Sequence, residues 1–229
     1  MKKYDTKFGR KKIVLYGGTG QAKVVRPIIE SYGLSVAVII DDSEGKISPF
    51  TDKEIVHGVH GLKKWMAGND PEDFGFIVTI GAPHGHRRIE IHEILTEMGL
   101  DATTIIDPNA IVSESVQIGA GSQIMAGAII MPETVIGNQC IINTKSSIDH
   151  ECVIADGCEI SPGATLCGSI IMERNSWVAA GATVLPWLKI GENSIVGAGT
   201  TLRKNLPRDT KYIVKQTESL NSLGDFELG

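Results

Sequence analysis

One histidine in the second half of the chain has the neighbours that general-base catalysis requires. His150 is the only histidine in residues 106–207, and two carboxylates flank it, Asp149 and Glu151. A neutral imidazole accepts a proton near neutral pH, and an adjacent carboxylate holds the ring and raises its basicity. Gly168 follows eighteen residues later, and a glycine N–H, which no side chain obstructs, is suited to bind an oxyanion. A base with an oxyanion donor predicts acyl transfer; the alternative interpretation is a surface histidine on a turn.

Metal chemistry is not predicted, because the ligand sets are missing. Carbonic anhydrases that are built from six-residue repeats bind their metal ion through several histidines, and residues 106–207 contain only one histidine. His84 and His86 are interpreted as loop and helix-start residues rather than as a metal pair. The four cysteines show no CxxC spacing and are interpreted as free thiols in a reducing compartment: Cys140, Cys152, Cys158 and Cys167.

A glycine-rich turn near the start of the chain is the second place where chemistry is indicated. Residues 16–21 read Tyr-Gly-Gly-Thr-Gly-Gln after an apolar run and before a helical pattern, which is a phosphate-binding arrangement. Asp41 lies where a ribose-binding acid would stand, but Lys23 occupies the place of the third glycine of a dinucleotide fingerprint. An NAD-dependent oxidoreductase and a purely structural turn therefore remain alternatives. Gly81 is predicted to line the same crevice at the carboxyl ends of the strands.

The elements that must position this turn alternate between strands and helices. Apolar runs at 13–16, 36–40 and 76–80 predict strands, and helical patterns follow Gly20 and cover 89–98. Residues 43–75 are harder to interpret, and a short amphipathic turn is predicted around Leu62, Trp65 and Met66. This order predicts a small Rossmann-like α/β domain with a parallel sheet over residues 1–105.

The elements that must position His150 follow a different pattern. Every sixth residue from Ile106 to Leu202 is aliphatic or Met, which gives seventeen consecutive hexapeptides. The fifth residue of each hexapeptide is small in thirteen of the seventeen. This period predicts an all-β parallel β-helix over residues 106–207, of the class that winds left-handed, followed by a C-terminal tail over 208–229. Three hexapeptides make one triangular coil, and successive coils stack at roughly 4.8 Å.

Stacking of the coils predicts which residues share a corner. His150 and Gly168 fall in one corner column. The third residues of another set of hexapeptides form a compact column that allows a second chain, or a long thin ligand, to approach the backbone: Pro108, Ala126, Thr144, Pro162, Ala180 and Ala198.

Composition excludes several classes of protein. The chain has 229 residues and a net charge of −5, so a broad nucleic-acid-binding surface is not expected. Gly17, Gly18 and Gly20 interrupt the first apolar run, so neither a signal peptide nor a membrane segment is predicted, and a cytoplasmic location is the expectation.

The motifs together resemble those of a known family of enzymes. They are Tyr-Gly-x-x-Gly at 16–20, Asp41-Asp42, Ile80-Gly81, and Asn-Thr-x-Ser-x-Ile-x-His-Glu-Cys at 143–152. They are similar to the bacterial sugar O-acyltransferases of the sialic acid O-acetyltransferase type, which are hexapeptide-repeat acyltransferases. Within that type they most resemble the N-acetyltransferases that modify UDP-linked 4-amino sugars in bacillosamine biosynthesis.

The resemblance implies a reaction and a set of roles. The reaction is acetyl-CoA-dependent N-acetylation of a nucleotide-linked amino sugar, in a homotrimer whose sites lie between subunits, without a metal. His150 would be the general base and Glu151 the residue that increases its basicity. Acetyl-CoA would lie along Gly168, Ala180 and Ala198, with Gly168 as oxyanion donor. The substrate-binding residues implied are Thr19, Gly20, Gln21, Asp41, Asp42, Gly81 and Asn143.

This sequence departs from the family at two places. Gln21 stands where relatives commonly have a histidine, and the usual Gly-x-Pro-Ala-Lys near the C-terminus is absent. A basic stretch at 203–215 is interpreted as a patch for CoA phosphates or as a solvated tail. The alternatives to N-acetylation are O-acetylation of a sugar hydroxyl and a non-catalytic β-helix.

Overall fold

The computed structural model describes residues 12–213. The first part is a parallel sheet of five strands with the order β3-β2-β1-β4-β5 and helices on both of its faces. Its elements are β1 (Lys12–Tyr16), α1 (Gly20–Ser31), β2 (Ser35–Asp41), β3 (Ile55–His57), α2 (Gly58–Trp65), a single 3₁₀ turn (Pro71–Asp73), β4 (Phe74–Val78), α3 (Gly85–Glu97) and β5 (Asp101–Ala102).

The central strands are apolar throughout because both faces of the sheet are covered. All five residues of β4 are buried, as are four of the five in β1, which is typical of parallel strands between helix layers. Gly17 follows β1 with a φ of +114°, and a Cβ there would lie 2.7 Å from the carbonyl oxygen of Thr79. Only glycine fits this turn, which brings the chain from β1 to the start of α1.

Three details of the sequence interpretation need correction. The third predicted strand lies earlier in the chain, at Phe74–Val78, and α3 begins at Gly85 rather than at 89. The edge strands β3 and β5 were not predicted, because they are too short to show a hydrophobic period. The amphipathic turn predicted around Leu62 is the helix α2, with Leu62 buried.

The second part is a three-sided parallel β-helix with the architecture of the left-handed hexapeptide class. Every strand has two residues: β6 (Ile105–Ile106), β7 (Ile111–Val112), β8 (Gln117–Ile118), β9 (Gln123–Ile124), β10 (Ile129–Ile130), β11 (Val135–Ile136), β12 (Ile141–Ile142), β13 (Ser147–Ile148), β14 (Val153–Ile154), β15 (Glu159–Ile160), β16 (Thr165–Leu166), β17 (Ile171–Met172), β18 (Trp177–Val178), β19 (Thr183–Val184), β20 (Lys189–Ile190), β21 (Ile195–Val196), β22 (Thr201–Leu202) and β23 (Lys211–Tyr212).

These strands form three sheets, which we name by their order along a coil. The first face contains seven strands from β6 to β23, the second face six from β7 to β22, and the third face five from β8 to β20. Each strand from β6 to β19 pairs in parallel with the strand eighteen residues later, as Ile130 with Ile148 and Ile148 with Leu166. The last pair, β21 with β23, is sixteen residues apart. The aliphatic residues stack inside the prism and form one continuous buried column from Ile106 to Leu206.

The corners between faces use left-handed backbone conformations. Between residues 12 and 213, nine non-glycine residues have a positive φ, and Glu151 at +58° is one of them. Cys140, Cys152 and Cys158 occupy small interior positions next to the corners, and all four cysteines are free thiols. Burial raises the pKa of both Cys152 and Cys158 to about 11, so these thiols stay protonated and serve as packing groups.

The α/β part lies against the first face of the β-helix. The guanidinium of Arg88, on α3, is fully buried and donates hydrogen bonds to the carbonyl oxygens of Gln139 (2.9 Å) and Gly157 (2.8 Å). Gln123, on the first face, donates to the carbonyl oxygen of Val78 at 2.8 Å. None of the helices between residues 12 and 213 is both long and apolar enough to span a bilayer.

Candidate active site

The side chains of His150 and Glu151 lie within hydrogen-bond distance of each other at a corner of the β-helix. The corner lies between β13 on the second face and β14 on the third face. The Nδ1 of His150 lies 2.9 Å from Oε2 of Glu151, and both side chains are about half exposed. A neutral imidazole that donates from Nδ1 to a carboxylate keeps its Nε2 lone pair free to accept a proton. The pair therefore has the geometry of a general base and the group that orients it.

Gly168 lies against this imidazole, one coil further along the same corner. A Cβ at position 168 would come within 2.6 Å of both Cε1 and Nε2 of the His150 ring. Glycine at this position is what allows the ring to take its place beside Glu151. Within residues 12–213, the N–H of Gly168 donates no hydrogen bond to another group.

A cleft at the carboxyl ends of β1, β2 and β4 is the second half of the candidate site. It has a volume of about 330 Å³ and is lined by Tyr16, Gly17, Thr19, Asp41, Asp42, Ser43, Ile80, Gly81, Ala82 and His84. Four of the seven predicted substrate-binding residues line this cleft. Gly20 and Gln21 follow it in the first turn of α1, and Asn143 lies on the β-helix.

The two carboxylates of the cleft have different environments. The carboxylate of Asp41 is buried and accepts hydrogen bonds from the N–H groups of Gly18 (2.8 Å) and Ser43 (3.0 Å), and it pairs with Lys46 at 2.8 Å. Burial alone would raise the pKa of Asp41, but Lys46 and the two N–H groups lower it to about 2. Asp41 is thus a fixed anion that holds the glycine turn.

Asp42 is half exposed and bridges two neighbouring elements. It accepts a hydrogen bond from the hydroxyl of Tyr16 at 2.6 Å and another from Arg87 at 2.8 Å. Burial and the negative charge of Asp42 raise the pKa of Tyr16, so its hydroxyl remains a donor. Sequence interpretation missed Arg87 and Lys46, because neither belongs to a motif.

Gln21 and Asn143 connect the cleft to the first face of the β-helix. The Nε2 of Gln21 donates to Oε1 of Gln123 at 2.9 Å. The Nδ2 of Asn143 lies 3.5 Å from Oε1 of Glu159, and Oε2 of Glu159 accepts the N–H of Ala82 at 2.6 Å. The side chain of Glu159 thereby anchors the loop that ends the cleft.

Glu159 and Arg88 form a buried pair that sequence interpretation also missed. Their side chains are 8 % and 0 % exposed, and Nη1 of Arg88 lies 3.8 Å from Oε2 of Glu159. Burial lowers the pKa of Arg88, and the carboxylate of Glu159 opposes that shift. The two residues are 71 positions apart, and no local pattern indicates such a pairing.

The predicted site residues fall into three groups at different places on one chain. The cleft, Gln21 and Asn143 lie on or next to the first face. His150, Glu151 and Gly168 lie at the corner between the second and third faces, which is the corner opposite the first face. Ala180 and Ala198 are exposed at a third place, the corner between the first and second faces. The structure therefore does not bring all predicted residues together within one copy.

Other candidate features add no further chemistry. No group of three or more His, Cys, Asp or Glu that could hold a metal ion is found in the described part of the chain. His84 precedes α3 and His86 lies in its first turn, with their ring centroids 6.4 Å apart.

In the basic stretch at 203–215, Arg208 pairs with Glu192 and Asp209. Residues 214–229, with most of the predicted tail, lie outside the described residues.

Two family models match the chain, one in each part. Residues 12–95 match the PglD N-terminal domain, and residues 169–204 match the bacterial transferase hexapeptide repeat. A search of curated proteins finds no match for this sequence.

Solved structures are similar over nearly the whole chain. A histidine-to-asparagine variant of perosamine N-acetyltransferase from Caulobacter crescentus, in complex with CoA and GDP-perosamine, is 28% identical with a TM-score of 0.80; the match covers 87% of this chain and 92% of that one. The acetyltransferase domain of PglB from Neisseria gonorrhoeae, in complex with acetyl coenzyme A, is 26% identical with a TM-score of 0.78, over 89% and 96% of the chains. WeeI from Acinetobacter baumannii is 25% identical with a TM-score of 0.76, over 87% and 94%.

The fold and these similarities identify a hexapeptide-repeat acyltransferase with an N-terminal α/β domain. The chain combines the PglD N-terminal domain with hexapeptide repeats, and its structural relatives include a perosamine N-acetyltransferase and the acetyltransferase domain of PglB. The expected fold class and the resemblance stated from the motifs are both confirmed.

Proposed function

We propose that this protein transfers the acetyl group of acetyl-CoA to the amino group of a nucleotide-linked 4-amino sugar. The nucleotide-sugar binds in the cleft and contacts Thr19, Gly20, Gln21, Asp41, Asp42 and Gly81, with Asn143 beside it. The thioester lies at Gly168, and CoA extends past Ala180 and Ala198 of a neighbouring copy. The relatives solved with CoA and GDP-perosamine, and with acetyl coenzyme A, support this choice of substrates.

The observation that carries the proposal is the arrangement of His150, Glu151 and Gly168. The neutral sugar amine attacks the thioester carbonyl while Nε2 of His150 removes its proton. The N–H of Gly168 stabilises the negative charge that develops on the carbonyl oxygen. The C–S bond then breaks, and the CoA thiolate leaves and takes up a proton. Glu151 stabilises the imidazolium that forms in the first step.

A second copy of the chain completes this site, because the cleft and His150 lie on opposite sides of one β-helix. Apolar side chains are exposed on the two faces that meet at the His150 corner. Val135, Val153 and Ile171 follow one another up the third face and are 37%, 45% and 47% exposed. We propose that burial of this stripe against another copy brings the cleft of that copy beside His150. This supports a homotrimer with sites between subunits.

The proposal also includes a cytoplasmic location and a division of the chain into two domains and a tail. Free buried thiols favour a cytoplasmic location, where cysteines stay reduced. We propose a division of the chain at residues 105–106, where β6 begins the first face of the β-helix. The strand β23 (Lys211–Tyr212) still belongs to that face, so the coils continue past residue 208, where the tail was expected to begin.

Replacement of the base tests the reaction directly. His150→Ala should lower kcat about 10²–10⁴-fold and leave the thermal unfolding midpoint unchanged, because the side chain is half exposed. The rate is measured by the release of CoA thiol with GDP-perosamine as acceptor. A variant with wild-type turnover would show that another group removes the proton.

O-acetylation is the alternative, since the same base and oxyanion donor can activate a hydroxyl. The same thiol-release assay, run with a matched pair of nucleotide-sugars that carry an amine or a hydroxyl at one carbon, separates the two. N-acetylation predicts release with the amine alone, and release with the hydroxyl compound alone would replace the proposal with an O-acetyltransferase.

A further inference from the structure

An exposed tryptophan occupies a strained position next to Gly168. Trp187 is 79% exposed and has a φ of +59°. A bulky side chain rarely adopts this left-handed conformation, which is costly for any residue with a Cβ. In the part of the chain that the structure describes, its indole makes no hydrogen bond or ring contact.

The hexapeptide pattern shows how unusual this residue is. Trp187 is the fourth residue of its hexapeptide, and the other sixteen fourth positions in residues 106–207 hold only glycine, polar or charged residues. The fold therefore does not require an apolar residue here. Strain and exposure together favour a function that lies outside the packing of the chain.

Trp187 lies at the same corner of the β-helix as the base. Its N–H donates to the carbonyl oxygen of Gly168 at 3.1 Å, and the N–H of Ser169 donates to that of His150 at 2.8 Å. The tryptophan backbone is thus one coil, roughly 4.8 Å, beyond the proposed oxyanion donor.

Charge along this corner indicates which way an anionic donor extends from Gly168. Toward the N-terminus the corner carries Glu133 and Glu114, next to Asp149 and Glu151. Toward the C-terminus, beyond Trp187, Arg203 and Lys204 are exposed, and no ion pair to either is found among the described residues. A thioester donor with phosphates at its far end is therefore drawn past Trp187.

We infer that Trp187 binds the arm of the acyl-CoA donor that joins the thioester to the phosphates. The indole covers this arm after the thioester carbonyl has reached Gly168, and it contributes donor affinity without taking part in the chemical step. The inference rests on the proposed function, and it adds a residue that no motif indicates.

Titration calorimetry with CoA alone tests this role. Trp187→Asn removes the indole. Asparagine suits the left-handed backbone conformation of this corner, because Asn175 and Asn193 adopt the same conformation in other corners of the chain. We expect the dissociation constant of CoA to rise about tenfold, which corresponds to about 1.4 kcal/mol. In steady-state assays KM for acetyl-CoA should rise, while KM for the nucleotide-sugar stays the same.

Two controls distinguish donor binding from other roles of the indole. Glu133→Asp shortens a side chain in the same kind of left-handed corner, keeps its negative charge, and should leave CoA affinity unchanged. Tryptophan fluorescence should change when CoA binds the wild type and should not change in Trp187→Phe, which retains Trp65 and Trp177.

Three results would overturn the inference. Equal CoA affinity in the wild type and Trp187→Asn would show that the indole does not contact the donor. Loss of oligomeric state in Trp187→Asn, measured by sedimentation, would assign the indole to the contact between copies. Absence of CoA binding to the wild type would overturn the proposed function as well.

Discussion

His150 and Gly168 constrain each other across the gap between two coils. The ring of His150 occupies the space where a Cβ on residue 168 would stand. An imidazole that is half exposed is held in place by little else than Glu151 and this contact. The position of the imidazole therefore depends on the absence of a methyl group at residue 168.

Gly168→Ala should separate activity from stability. The new Cβ lies 2.6 Å from Nε2, so the ring must rotate away from Glu151, and kcat should fall about 10²-fold. The unfolding free energy should change by less than about 1 kcal/mol, because an exposed ring can move into solvent. Cys167→Ala serves as the control and should retain normal turnover. Unchanged kcat in Gly168→Ala would show that the ring position is unimportant.

Asp41 should make the stability of the α/β part sensitive to acid. Its pKa is lowered from the ordinary value of 3.8 to about 2 in the folded protein, so the anion stabilises the fold above about pH 4. This contribution, about 2 kcal/mol, is lost as the pH falls from about 4 to about 2. Urea unfolding of the wild type and Asp41→Asn at several pH values measures it. A difference between the two proteins that does not shrink at low pH would contradict the assignment.

At the scale of secondary-structure elements, the sequence predicts strands reliably where their pattern repeats. The six-residue period indicated the β-helix because every strand buries the same kind of side chain, and three cysteines were correctly placed inside it. His150 could be singled out as a candidate base because it has no competing histidine in the repeat, and its role stays a prediction. The edge strand β3 and the early start of α3 could not be predicted, since packing rather than local pattern decides them.

The contact between the two parts of the chain was also beyond prediction. Arg88 lies on the apolar side of α3, where a sequence pattern favours a hydrophobic residue. It is instead satisfied by carbonyl oxygens of the β-helix and by Glu159, which in turn holds the loop at Ala82. Helix, loop and coil are thereby joined by one buried polar cluster.

Arg88→Met should loosen the α/β part from the β-helix. Removing one partner leaves the Glu159 carboxylate buried without its cation, and we expect a loss of about 3–5 kcal/mol. Differential scanning calorimetry should resolve two transitions, with the α/β part unfolding first. Arg174→Met is the matched control, because the pair of Arg174 with Asp156 is exposed and should contribute less than about 1 kcal/mol. Equal destabilisation by both variants would contradict a special role for Arg88.

At the scale of the whole molecule, the cleft and His150 lie on different sides of one copy. The first face carries the α/β part, and His150 projects from the opposite corner of the prism. A nucleotide-sugar bound in the cleft of one copy is therefore expected to meet the imidazole of another. Such an arrangement allows the two half-sites to be inactivated in different chains.

Mixed oligomers of two inactive variants should recover activity. Gly81→Leu fills the cleft, since the nearest atom to a Cβ there is 3.9 Å away, and it leaves His150 intact. His150→Ala removes the base and leaves the cleft intact. If each site combines a cleft with the base of the neighbouring copy, random mixing gives a working pair at about a quarter of the sites. Co-expression with two different tags, followed by tandem purification and the thiol-release assay, measures this recovery. Mixed oligomers as inactive as either parent would place both halves of the site within one chain, and would require the α/β part to reach around the β-helix to His150.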